Sequence, residues 1–304
     1  MIDAAGLQQA SAVRARRAPD ARADRGERLI PLRRARLFHS RVALVENLQS
    51  SGAGQGFSPE FQVCLPYAGL FVWHVGGQPV VADANQILFV TRGEPFHVTG
   101  PMDGGFGEII ITPPADVLAE LAGASEARLA THPLFRRRSR RADASVQALR
   151  ARLLHSSMHG ERDGLATDSL VLELLRSALD APGPPCELRA TTRRLIRRTK
   201  EFVEGHLSTP LRLCDVAAAV HASPAYLTHI FRRAEGVPLH KYVVQLRLAR
   251  ALVELPHVTD LTSLALDLGF SSHSHFTAAF RRAFGCTPSE FRESTRGMQK
   301  KRIA

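Results

Sequence analysis

The stretch from Leu211 to Arg292 repeats itself, and no other feature limits so strongly what the chain can fold into. Val216-Ala217 returns as Leu264-Ala265 at an offset of 48 positions, and Leu227-Thr-His-Ile-Phe231-Arg-Arg-Ala-Glu-Gly236 returns as Phe276-Thr-Ala-Ala-Phe280-Arg-Arg-Ala-Phe-Gly285 at an offset of 49. A one-residue difference at a turn is what two helix-turn-helix units tolerate, because turns absorb length and packed helices do not.

In the first copy Leu213, Val216, Ala217 and Val220 recur at i, i+3, i+4 and i+7, which places them on one face of a short helix. His221-Ala222-Ser223 makes the turn. Ser223 then caps a second helix that accepts Pro224 in its first turn and buries Leu227, Ile230 and Phe231. In the second copy Leu261, Leu264, Ala265 and Leu268 form the first helix, and Gly269 ends it by accepting positive φ. Ser272 caps a helix expected to bury Phe276, Ala279 and Phe280. Between the copies, Tyr242, Leu246, Ala249 and Leu252 or Val253 share one face of a helix predicted over 239–254. Such a helix is a rod of ~24 Å, which with the helices it joins could hold two recognition helices near the ~34 Å spacing of successive major-groove faces. Spacing alone also admits a helical repeat with no ligand, as the lesser reading.

Charge bears on that choice. The net charge of +11 is unevenly placed: residues 187–304 carry 19 Lys and Arg against 10 Asp and Glu, whereas residues 37–186 carry 12 against 15. The basic excess lies with the repeat, where phosphate neutralisation and counterion release would use it. A surface that is basic only for solubility accounts for the total but not for the asymmetry.

Leu211 to Arg292 resembles the DNA-binding domain of the AraC/XylS family of bacterial transcription regulators. The matching residues are Ser223-Pro-Ala-Tyr226-Leu227-Thr-His-Ile-Phe231-Arg-Arg, Gly236, Tyr242, Arg247-Leu-Ala-Arg-Ala251, Leu268-Gly269-Phe270, His275-Phe276, Phe280 and Gly285-Cys-Thr-Pro288-Ser-Glu-Phe291-Arg292. Two units followed by that ending are far more specific than a lone short motif. The resemblance implies base contacts at Ala225, Thr228 and His229 in the first unit and at His273, Ser274, Thr277 and Ala278 in the second. Hydroxyls and imidazoles can meet base edges, and alanine can meet a thymine methyl. Arg232, Arg233, Arg281 and Arg282, at the far ends of those helices, are expected to meet phosphates or to pair structurally. Many family members carry Arg where this chain has His229 and Ala278, so the resemblance leaves the operator sequence open.

The rest of the chain divides in order. Residues 1–36, with nine Arg and four acidic residues, are expected to be a disordered extension; Asp20, Asp24 and Glu27 count against an Arg-rich targeting peptide. From Leu37 to about Pro113, short apolar runs broken by Gly and Pro predict strands at Phe61 to Leu65, Gly69 to Val75, Gln86 to Thr91, Phe96 to Thr99 and Gly107 to Thr112. Gly76-Gly77 is a two-residue hairpin signal. The layout, with Arg92-Gly-Glu-Pro-Phe-His97, resembles the cupin-like sensor domain found upstream of such DNA-binding domains, and a barrel mouth is a common small-molecule site. Phe71, Trp73, His74 and His97 are the candidate effector-pocket residues, with the inward strand faces left open. Metal-dependent cupins pair a His-x-His with a Glu and a further His; His74 and His97 stand alone, so no metal is expected.

Helical material is expected to begin at Asp116 to Leu121, followed by a basic stretch, Arg136 to Arg141, read as a solvated turn or helix end. Two helices should follow, one through Val146, Leu149, Leu153 and Leu154, the other through Leu170, Val171, Leu174, Leu175 and Ala178. The apolar face of the second is too wide to stay in solvent, so it packs on the barrel, makes a homodimer as such helices do in the family, or does both. Ala181-Pro-Gly-Pro-Pro185 stops any helix and marks a boundary. A helix near Thr192 to Leu207 then opens the last domain, buried through Leu195, Ile196, Phe202 and Val203. Cys64, Cys186, Cys214 and Cys286 show neither metal spacing nor a disulfide framework, and Cys214 falls among buried helix positions. No run of 18 apolar residues occurs.

The expected fold is therefore α+β in two domains. A cupin-like β-rich barrel with a helical pair spans 37–180, a linker 181–188, and an all-α DNA-binding domain 189–296, with helix-turn-helix units at about 211–234 and 261–284 and a basic tail at 297–304. The expected function is a cytoplasmic, nucleoid-associated, sequence-specific transcription regulator, an activator on the family pattern with repression left open. Its expected partners are double-stranded promoter DNA, RNA polymerase, a small-molecule effector and a second copy of the chain, with no membrane, cofactor or catalytic residue. Two other classes compete. A cupin-type oxygenase or alkylation-repair enzyme would require a metal or a reactive thiol, and Cys64 has apolar neighbours that keep it protonated. An architectural protein would show a steep salt slope without specificity.

Overall fold

The computed structural model describes residues 27–30, 41–47, 54–75, 78–100, 105–159, 164–180 and 188–300. The rest of the N-terminal extension, the Gly76-Gly77 turn, the proline-rich boundary with Cys186, and the tail beyond residue 300 lie outside the described residues.

Among the described residues ten strands form two antiparallel sheets, not a closed form of the cupin-like barrel that the resemblance implies. The larger contains β1 (Glu27–Ile30), β2 (Arg41–Asn47), β9 (Phe106–Thr112), β4 (Gln62–Gly69), β7 (Gln86–Val90) and β10 (Ser139–Arg141), in that spatial order. The smaller contains β3 (Gly54–Phe57), β8 (Pro95–Thr99), β5 (Phe71–Val75) and β6 (Gln78–Ala82). Val75 stands opposite Gln78, so β5 and β6 flank the two glycines as a hairpin.

The larger sheet is buried on both faces, and this is why its strands read as unbroken apolar runs rather than alternating ones. Val45, Cys64, Leu88, Val90 and Ile110 face the smaller sheet, packing with Phe71, Trp73, Val75, Phe96 and Val98. Their neighbours Leu44, Val63, Leu65, Ile87, Phe89, Ile109 and Ile111 face the other way, into a core shared with helices. Those helices are α1 (Ala115–Leu121), α2 (Glu126–Leu129), α3 (Pro133–Arg137), α4 (Ala144–His159) and α5 (Gly164–Leu179). Leu170, Val171, Leu174, Leu175 and Ala178 of α5 all lie inside this core, so the wide apolar face of α5 packs within the chain.

Two expectations about this half are corrected. Residues 27–30, placed in a disordered extension, form an edge strand on β2, a partner that no local pattern could reveal. Arg136 to Arg141 is not uniformly solvated. Arg138 pairs with Glu94, Arg140 is buried and donates to the carbonyls of Asp180 and Ser177, and Arg141 donates to the carbonyl of Glu235 at 3.4 Å.

The remaining helices are α6 (Ala190–Gly205), α7 (Leu213–Ala219), α8 (Pro224–Glu235), α9 (Leu239–Glu254), α10 (Leu261–Asp267), α11 (His273–Phe284) and α12 (Pro288–Lys300). They enclose two cores. Val216, Ala217, Leu227, Ile230 and Phe231 form the first, and Leu264, Ala265, Phe276, Phe280 and Phe291 the second. The linking helix α9 is buried on two faces rather than one, because it lies between the units. It gives Tyr242, Leu246 and Ala249 to the first core and Leu248, Ala251 and Leu252 to the second. The first copy also departs from its pattern at its start, where Leu213 and Cys214 are exposed, with none of the described residues packed over the opening turn of α7. Leu195, Phe202 and Ala279 are only partly buried.

Candidate nucleic-acid interface

Each recognition helix is closed at both ends by local chemistry. Ser223 Oγ accepts from the Tyr226 amide at 3.2 Å to start α8, and Ser272 Oγ accepts from the His275 amide at 3.1 Å to start α11. Gly236 and Gly285 end them in the left-handed region, with φ of 74° and 76°. Behind the second unit, Thr287 and Glu290 form a reciprocal capping box at the start of α12, with the Glu290 amide donating to Thr287 Oγ1 at 3.2 Å and the Thr287 amide to Glu290 Oε2 at 2.6 Å. The Thr287 hydrogen bonds hold the Glu290 carboxyl below its usual range.

With Leu227, Ile230 and Phe231 turned inward, the opposite face of α8 is left to solvent: Ala225, Thr228, His229, Arg232 and Arg233 are exposed. On α11, burial of Phe276 and Phe280 leaves His273, Ser274, Ala278, Arg281 and Arg282 exposed. Thr277 is half-buried, and its hydroxyl has no hydrogen-bond partner among the described residues. The Thr228 hydroxyl donates to the Pro224 carbonyl at 2.8 Å, which occupies it within the helix. The four arginines occupy the last turns, where they also complement the helix dipoles.

Two residues on these faces escaped sequence reasoning. Tyr226 is 51% exposed, a large aromatic in the first turn of α8 that shares a face with His229. His275 holds the matching position of α11; its Nδ1 lies 3.0 Å from Ser271 Oγ, and its ring meets Phe270 edge-on. An aromatic at a position that the helical wheel leaves outside the core was the available signal.

The four pocket candidates do not converge. Phe71 and Trp73 are buried between the sheets, whereas His74 and His97 alternate with them and lie on the outer face of the smaller sheet. The two imidazoles stand directly opposite across β5 and β8 and stack at 4.1 Å, and His74 Nε2 lies 3.0 Å from Thr99 Oγ1. Burial, then His97 and Arg197, push the His74 imidazole below its usual value. Among the described residues no group of three or more His, Cys, Asp or Glu could hold a metal ion, and no helix is long and apolar enough to cross a membrane.

Two capped helices that turn small polar side chains outward and finish in paired arginines, held by one linking helix, define a tandem helix-turn-helix DNA-binding module. A family profile described as a helix-turn-helix domain matches residues 216–294. The regulatory protein SoxS of Salmonella typhimurium is 36% identical over 100 residues, which are 32% of this chain and 92% of SoxS. The regulatory protein PocR of the same organism is 33% identical over 99 residues, 32% of this chain and 33% of PocR, so the match spans about a third of the length of that larger relative. The crystal structure of a transcriptional regulator with an AraC-type DNA-binding domain from Chromobacterium violaceum is 30% identical, covering 35% of this chain and 96% of that one with a TM-score of 0.33. The chain belongs to the AraC/XylS family.

Proposed function

We propose that the protein recognises a specific promoter sequence with both recognition helices and activates transcription there, in the cytoplasm, by contact with RNA polymerase. The observation that carries this reading is the paired exposure of Ala225, Thr228 and His229 on α8 and of His273, Ser274 and Ala278 on α11, each set backed by a complete core. A bare helical repeat has no need to present two matching polar faces. Residues 37–180 act as the sensing unit and 189–296 as the DNA-binding unit, with 181–188 between them. A small-molecule effector or self-association in the sensing unit changes how the two helices meet DNA, which shifts a population between conformations. Of the proposed pocket residues, His74 and His97 keep accessible surface to meet an effector, while Phe71 and Trp73 support the sheet behind them.

The test is selection of genomic fragments by the purified protein at about 150 mM salt, followed by sequencing of the bound DNA. The expected result is a recurring motif of two short elements about ten base pairs apart. Binding to all fragments with equal affinity and a steep salt slope would place the protein among non-specific DNA binders and sink the proposal.

A further inference from the structure

The two helix-turn-helix units are attached to the strand-rich half by different kinds of contact. The first is held by a buried polar network beside one apolar contact, Ala84, which joins its core. Lys200 of α6 is 2% exposed, and its Nζ lies 3.2 Å from Asp83 Oδ2 and 3.0 Å from Glu235 Oε1. Asp83 lies in the turn between β6 and β7, while Glu235 is the last residue of the first recognition helix. Around this bridge the Tyr242 hydroxyl donates to Asp83, Asn85 Nδ2 donates to the Tyr242 carbonyl at 3.2 Å, and Gln86 Nε2 donates to Glu235 Oε2 at 3.0 Å. Gln147 of α4 steadies the turn from behind, donating to Asn85 Oδ1 at 2.8 Å.

The second unit rides on α4 instead. Ala151 joins the apolar core of Leu264, Phe276 and Phe280, and His155 Nε2 lies 3.1 Å from the Thr295 carbonyl. Among the described residues no ion pair joins the strands to this unit.

Stability alone does not account for a charged joint, because apolar residues in place of a buried ion pair usually serve as well or better. A network of fixed donors and acceptors sets direction, and it can exchange its partners for water when it parts. The joint has the character of a separable surface: among the described residues, Arg141 Nη2 and Arg150 Nε and Nη2 are buried there without a hydrogen-bond partner. Ala225, Thr228 and His229 remain exposed while the network is closed, so it aims the helix rather than covering it.

We propose that Lys200, bridging Asp83 and Glu235, is the latch through which the strand-rich half sets the direction of the first recognition helix, while the second is carried on α4. A change at the turn between β6 and β7 then moves α8 and leaves α11 in place, so only one element of the bound DNA responds to events in the strands. That consequence rests on the reading of both helices as DNA readers; the mechanical coupling does not.

Backbone hydrogen exchange on the full-length protein without DNA tests the coupling. Lys200→Met strands two buried carboxylates and could prevent folding, so the deciding variant combines Asp83→Asn, Lys200→Met and Glu235→Gln, which removes all three charges of the bridge and keeps the size of each carboxylate side chain. Amides of residues 83–86 and 232–236 should exchange about tenfold or more faster than in the wild type, with residues 273–284 unchanged. Equal acceleration in both recognition helices, unchanged exchange at 83–86, or failure of the combined variant to fold would each overturn the latch. A wild-type protein that selects no DNA motif would instead defeat the functional reading and leave the exchange result standing.

Discussion

His221 and Gly269 hold the same place in the two copies, each in the turn between the helices of its unit, and both take a left-handed backbone, with φ of 56° and 81°. Only the second is confined. A Cβ on Gly269 would stand 2.6 Å from the Leu207 carbonyl oxygen and 2.7 Å from Arg247 Nη2. Arg247 is itself committed, donating to the carbonyls of Leu207 at 3.0 Å and Thr209 at 2.8 Å.

Gly269→Ala should therefore destabilise the protein by about 3 kcal/mol, combining left-handed strain with displacement of the Arg247 hydrogen bonds. His221→Gly should stabilise it by about 0.5–1 kcal/mol, since only strain is removed. Urea unfolding of the two variants checks the opposite signs; a cost below about 1 kcal/mol for Gly269→Ala would show that the clamp yields.

If Thr228 meets a base as proposed, it does so with its methyl, because its hydroxyl is spent on the Pro224 carbonyl. Thr228→Val should keep the base preference to within about 1 kcal/mol, while Thr228→Ser, which loses the methyl, should weaken binding at one base position by about that amount. Competition among single-base variants of the selected duplex measures both. A larger loss with Val than with Ser would mean that the hydroxyl turns outward to read a base.

Arg232 and Arg233 are exposed in the last turn of α8 and carry no sequence information in a phosphate role. Replacing both by Ala should lower affinity for every duplex and flatten the slope of log affinity against log salt by up to about 2. A changed motif with an unchanged slope would assign them to base readout.

Trp73 and His74 are neighbours with opposite surroundings. Trp73→Ala should cost about 3–5 kcal/mol, because it empties the space between the sheets. His74→Ala, on the half-exposed outer face, should stay within about 1 kcal/mol. Thermal unfolding separates them, and equal costs would show that the outer face is packed as well.

Glu204 of α6 is raised to about 7, chiefly by burial and then by the charge of Asp83. A carboxyl that holds its proton more tightly folded than unfolded costs stability as pH rises from its ordinary value near 4.5 through about 7, and its charge opposes folding above that. Glu204→Gln should thus stabilise the protein at pH 8, by no more than about 2 kcal/mol given its partial exposure, and have little effect at pH 4. Unfolding free energies at the two pH values decide it; an equal effect at both would remove the titration from the account.

Much of the helical half was legible because its signals are local. Caps at Ser223 and Ser272, αL glycines at 236 and 285 and the 3.6-residue spacing of Leu227, Ile230 and Phe231 all act within one or two turns, and the linking helix runs from Leu239 to Glu254 as its spacing predicts. The strand runs of the first half were legible too, since a strand buried on both faces is apolar throughout. What the runs could not carry was which face met which layer, and so the division into two sheets and the separation of Trp73 from His74 were hidden.

Periodicity and capping are properties of a short segment, so the kind of module and most of the residues it turns outward could be read along the chain. The exposure of Leu213 and Cys214, the burial of Arg140 against the end of α5 and the placing of Lys200 between Asp83 and Glu235 arise only when distant segments pack. The reason is physical. Burial and charge pairing belong to two surfaces at once, and Asp83 and Lys200 stand far apart along a chain whose spacing records nothing of their meeting.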